Sequence, residues 1–71
     1  MEQTIRAEMV ASVHSIMSEV GISVVAGDTL MILESMKMEI PVVVEAPGII
    51  REISVQPGDV VREGDVLVIL D

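Results

Sequence analysis

The chain has 71 residues and no cysteine, and twelve acidic residues against four basic ones give a net charge of −8. That length allows one domain, spanning residues 1–71, with a small core and neither disulfides nor a thiolate metal site to reinforce it. The acidic balance and the absence of Phe, Trp and Tyr exclude nucleic acid and anionic membrane as natural partners, because phosphates are repelled and no base-stacking platform exists.

Hydrophobic residues make up 51% of the chain, mostly Val, Ile, Leu and Met, and the β-branched share favours strands. The start shows no basic region followed by an apolar stretch, as a secretory signal would. The longest apolar runs, such as residues 66–70, are too short to span a bilayer. The expectation is a cytoplasmic protein.

In chain order, Met9, Val13, Ile16, Met17 and Val20 fit a helical stripe. A strand near residues 13–18 is preferred, for a reason that comes from the second half of the chain. Turns follow at Gly21 and at Gly27-Asp28, then a strand over residues 29–33. Residues 40–44 form a second apolar segment, and the two flank a short polar centre as a hairpin would. Pro41 cannot donate a ladder hydrogen bond, which suits a strand start or an edge. Residues 49–55 read as a strand, and Gln56-Pro57-Gly58-Asp59 as a turn, with Pro presetting φ and Gly tolerating positive φ. Val60-Val61, a turn at Arg62-Glu63-Gly64-Asp65 and a strand over residues 66–70 complete the chain.

The two halves repeat. Ile16 matches Ile53, Gly21 matches Gly58, and Gly27-Asp28 matches Gly64-Asp65, all at one offset of 37 residues. Leu30, Ile32 and Leu33 match Leu67, Ile69 and Leu70 at the same offset. The matches fall on turn glycines and apolar alternation, the positions that determine a β fold. This repeat selects strand over helix near residue 13 and predicts two short sheets related by a pseudo-two-fold axis.

Lys37 is the only lysine. It stands in Glu34-Ser35-Met36-Lys37-Met38-Glu39-Ile40, between two methionines, and the repeat puts it at the tip of the hairpin that joins the halves. An amine there can be acylated to a stable, uncharged amide on a long flexible stem. Nothing in the segment marks Lys37 as a self-activated nucleophile of the Schiff-base kind. Lys37 therefore reads as the substrate of a modifying enzyme. Met36 and Met38 are core fillers or exposed recognition elements, and Glu34 and Glu39 are recognition elements or solvated charges. No histidine partner or pocket-forming sequence makes those carboxylates a catalytic pair. The single histidine, His14, reads as a half-exposed strand residue, since one histidine without a cluster supports no metal site. The Gly-Asp pairs are turn formers, too sparse in oxygen ligands for a calcium loop.

The lysine segment resembles the biotinyl-lysine motif of the biotin/lipoyl attachment domain family, in its biotinyl branch. The resemblance covers nearly the whole chain, including the turn positions at Gly27, Gly48, Gly58-Asp59 and Gly64-Asp65. The spacing leaves no room for a protruding thumb, so the chain is similar to thumbless biotin carboxyl carrier domains and small stand-alone biotinylated proteins. It differs at Glu8-Met9-Val10-Ala11, where a Pro-Met-Pro-Gly-like turn is common, and at Gly21-Ile22, where Gly-Asp is common.

The resemblance implies an all-β fold, a flattened barrel or sandwich of two antiparallel four-stranded sheets. It implies biotin, attached to Lys37 by a biotin protein ligase, with Met36, Met38, Glu34 and Glu39 as motif residues. The modified lysine would be a swinging arm that carries a carboxyl group between biotin carboxylase and carboxyltransferase components. The chain would be a carrier and not itself an enzyme. Two alternatives stand beside this: a lipoyl carrier, against which the flanking methionines count, and an interaction module with an unmodified motif.

Overall fold

The computed structural model describes residues 2–71. Eight strands build it: β1 (Gln3–Arg6), β2 (Ala11–Ile16), β3 (Ser23–Val24), β4 (Thr29–Ser35), β5 (Met38–Val43), β6 (Gly48–Ile53), β7 (Val60–Val61) and β8 (Val66–Leu70). They form two four-stranded antiparallel sheets, ordered β1-β8-β6-β3 and β5-β4-β2-β7. The helical stripe near Met9 is not realised, and the strand expected near residues 13–18 runs Ala11–Ile16 instead. Beyond its end, Met17 N–H and the Ser18 hydroxyl both donate to the Leu30 carbonyl, at 2.9 and 3.1 Å.

The repeat governs the architecture. Adding 37 to β2 (11–16) gives β6 (48–53), adding it to β3 (23–24) gives β7 (60–61), and residues 29–33 of β4 become β8 (66–70). The same shift carries β1 (3–6) onto residues 40–43 of β5. It turns the order β1-β8-β6-β3 into β5-β4-β2-β7, so the pseudo-symmetry exchanges one sheet for the other. Each half therefore contributes strands to both sheets, and neither half closes a core alone.

The core is paired in the same way. Ala7 and Val44, Val13 and Ile50, Val24 and Val61, Leu30 and Leu67, Met31 and Val68, and Leu33 and Leu70 are all buried. Burying each larger side chain contributes about 1.5–3 kcal/mol, which a chain this short needs to offset its ordering entropy. None of the buried residues among those described is polar or charged.

The turns repeat down to single hydrogen bonds. Val25 N–H donates to Asp28 Oδ2 and Arg62 N–H to Asp65 Oδ2, both at 2.9 Å. Gly21 and Gly58 hold φ of 92° and 96°. The repeat breaks in one turn, where Gln56 N–H donates to Asp59 Oδ2 at 3.0 Å but Ile22 offers its counterpart no acceptor. The backbone bond survives there, from Ile22 N–H to the Glu19 carbonyl at 3.3 Å, against 3.1 Å from Asp59 to Gln56. So the departure at Ile22 removes a side-chain bond and leaves the turn in place.

Candidate functional site

The β4–β5 hairpin is the junction of the two halves, and its tip carries the lysine. Glu34 pairs with Glu39 and Ser35 with Met38, which leaves a loop of two residues, Met36 and Lys37. Both have positive φ, 53° and 67°, the pattern of a type I′ turn, whose twist matches that of the flanking strands. Such turns favour Asn-Gly because a Cβ clashes in the left-handed region. Holding Met and Lys there costs about 1–2 kcal/mol each, and strain of this kind concentrates at functional sites.

Pairing alternates along an antiparallel ladder. Ser35–Met38 closes the loop, so Leu33–Ile40 falls in the same class and Ile32–Pro41 in the other. Pro41 thus occupies a position whose nitrogen faces away from β4, and β5 is an edge strand. The proline leaves the ladder intact and blocks further strand addition.

All five motif residues gather at this tip. Lys37 is exposed, Met36 is 89% exposed and Met38 60%. The methionines are therefore not core fillers. Two large apolar side chains held in water beside an amine are a surface for a partner to cover. Among the described residues the ion pairs are His14–Glu39, Arg51–Glu2 and Arg51–Asp71, and Lys37 takes part in none. A free, exposed primary amine at the apex of a stiff turn fits a covalently attached group. No metal-binding group of acidic, His or Cys residues exists among the described residues.

Glu34 and Glu39 stand directly opposite each other across the hairpin. Like charges so placed are destabilising. His14 on β2, half-exposed as expected, places its Nε2 3.9 Å from Glu39 Oε2. The sequence reading did not find that contact. Ser12 pairs with Glu34 in the antiparallel β2–β4 ladder, so the chain preceding β2 runs toward Met36. Cross-strand register, which the linear sequence does not display, carries the His14–Glu39 contact and this direction of the chain.

The family model described as "Biotin-requiring enzyme" matches residues 3–70. A biotinylated protein TB7.3 homolog of Mycobacterium leprae is 44% identical over 70 residues, covering 99% of each chain. The biotin/lipoyl attachment protein of Bacillus subtilis is 41% identical over 64 residues, 90% of this chain and 88% of that one. The crystal structure of the Kluyveromyces lactis urea carboxylase superposes with a TM-score of 0.93 at 28% identity, covering 100% of this chain and 6% of that much longer protein.

Proposed function

The chain belongs to the biotin/lipoyl family of biotin-requiring proteins, and on that premise we propose that it is a biotin carrier domain loaded on Lys37. The observation that carries the proposal is the placement of the only lysine, unpaired and exposed, on a strained two-residue turn between two exposed methionines. Relatives named as biotinylated proteins favour biotin over a lipoyl group.

Bound biotin supplies a urea nitrogen that can take up and release a carboxyl group. The chain's own residues supply position. Lys37 provides the amine for the amide bond, and the side chain with the cofactor's tail makes an arm of about 12–14 Å at standard bond dimensions. The Ser35–Met38 closure keeps the base of that arm from collapsing onto a soft loop. Met36 and Met38 give a loading enzyme an apolar surface to cover, and Glu34 and Glu39 present it with negative charge. Tethering keeps the group at high local concentration for each site it visits. The domain contributes no catalytic group and is not itself an enzyme.

Components of a biotin-dependent carboxylase are the partners this reading requires, in keeping with the likeness to a domain of a urea carboxylase. A biotin protein ligase is the enzyme that would load Lys37, and a carboxylase and a carboxyltransferase component, in the cytoplasm, are the sites the arm would serve. The test is incubation of the chain and of Lys37→Arg with a biotin protein ligase, ATP and labelled biotin. Label on the wild type alone supports the assignment, and label on Lys37→Arg overturns it.

A further inference from the structure

We propose that the groove between β1 and β5 is a resting site for the bicyclic ureido ring of the biotin carried on Lys37. The inference rests on the carrier reading above. The groove measures about 510 Å³, within the roughly 300–1,000 Å³ of small-molecule sites. Ile5, Met9, Ile40 and Val42 line it together with polar and charged side chains that include Arg6 and Glu8.

The groove follows from the topology. β1 and β5 are the edge strands of their sheets and occupy equivalent places in the repeat. They face each other across the side of the sandwich without pairing.

The groove also lies within reach of the lysine. Ile40 is three residues beyond Lys37 on β5, about 10 Å at 3.3 Å per residue, and the loaded arm spans about 12–14 Å. Met38, Ile40 and Val42 share one strand face, so an apolar stripe leads from the turn into the groove. Residues 8 and 9 border its tip end, because the β2–β4 register directs that segment toward the turn.

The chemistry matches on two counts. The lining is mixed, and its apolar members suit the sulfur-containing ring, with Met9 a soft contact for it, while its polar members suit the ureido group. A cyclic urea is amide-like, with two N–H donors and one carbonyl, and edge strands carry unpaired backbone groups that complement it. Ladder alternation leaves the N–H and carbonyl of Glu39 and the carbonyl of Pro41 facing the open edge. An added peptide strand fits this edge poorly. Pro41 lacks an N–H, and β1 is only four residues long with a register shift between Ile5 and Arg6. A compact ring on a tether meets neither obstacle.

The experiment uses the full chain, loaded by a biotin protein ligase and checked by intact mass, with methyl and amide NMR spectra recorded before and after loading. Shifts at Ile5, Ile40 and Val42, with nuclear Overhauser contacts from biotin ring protons, are the expected result. Streptavidin capture of the loaded chain is then several-fold slower than capture of loaded Val42→Asn. Shifts confined to residues 35–39 in fully loaded protein, with equal capture rates, overturn the proposal. Concentration-dependent shifts in the groove of unloaded protein overturn it in favour of a second copy as the occupant. A chain that takes up no mass fails earlier, at the carrier reading, and the mass spectrum separates that outcome from the others.

Discussion

Ser35 and Met38 face each other across a loop of only two residues, and closing that loop puts both Met36 and Lys37 at positive φ, 53° and 67°. A glycine would sit there without strain. The chain instead holds its one lysine in a conformation that works against stability, at an exposed position. A residue kept against local preference reports what the turn is for.

Replacing Lys37 with glycine is therefore expected to stabilise the unloaded domain by about 1 kcal/mol through relief of the left-handed conformation. Lys37→Arg keeps the strain and leaves stability unchanged. Both variants lose biotinylation. Thermal melts of the unloaded proteins check the contrast, and a glycine variant less stable than wild type would show that the lysine side chain supports the fold.

Glu34 and Glu39 repel across the hairpin. Glu39→Gln is expected to raise stability by about 0.2–1 kcal/mol, the size of a cross-strand charge effect. The gain shrinks as salt is added, because the pair is exposed and screened. The same substitution removes a motif carboxylate that the loading enzyme would recognise, so loading by the ligase slows. A variant that is more stable and equally well loaded would reduce the carboxylates to solvated charges.

Ile22 occupies the place that Asp59 fills in the second half, where the carboxylate accepts Gln56 N–H at 3.0 Å. Ile22→Asp restores the missing acceptor and takes a 44%-exposed apolar side chain out of water. The expected gain is about 0.5–1.5 kcal/mol, the worth of one such hydrogen bond. Urea denaturation measures it, and a loss would mean that the two turns are not equivalent.

Gly48 replaces the Ala11 of the first half for a steric reason. A Cβ at Gly48 would lie 2.6 Å from the backbone oxygen of Asp71, which cannot yield as a side chain could. Gly48→Ala is expected to cost about 1–3 kcal/mol as overpacking and to loosen the terminal pairing of Ile49 with Asp71, whose backbone groups exchange bonds at 3.0 and 2.8 Å. Reduced amide protection at Ile49 and Asp71 would register that loosening.

Much of the fold was legible because the repeat sits on residues that constrain backbone and burial. Gly21, Gly27, Gly58 and Gly64 all take positive φ, and the matched leucines are all core. Strand β1 was not legible: four residues alternating weakly carry little signal, although extending the repeat to residues 40–43 would have located it. β3 is only two residues long, and the match of Val24 with Val61 marks it in hindsight. The lysine was legible as a hairpin tip from its apolar flanks. The turn type was not, because Met-Lys has no intrinsic preference for positive φ and the hairpin register imposes it. The opposition of Glu34 and Glu39 and the nearness of His14 are likewise products of pairing between strands.

The most direct measurement is the intact mass of the protein purified from its own host, with fragmentation to place any adduct. The account predicts a biotinyl adduct on Lys37 and on no other residue. An unmodified chain from a host that biotinylates its other carriers, or a lipoyl adduct on the same lysine, would contradict it.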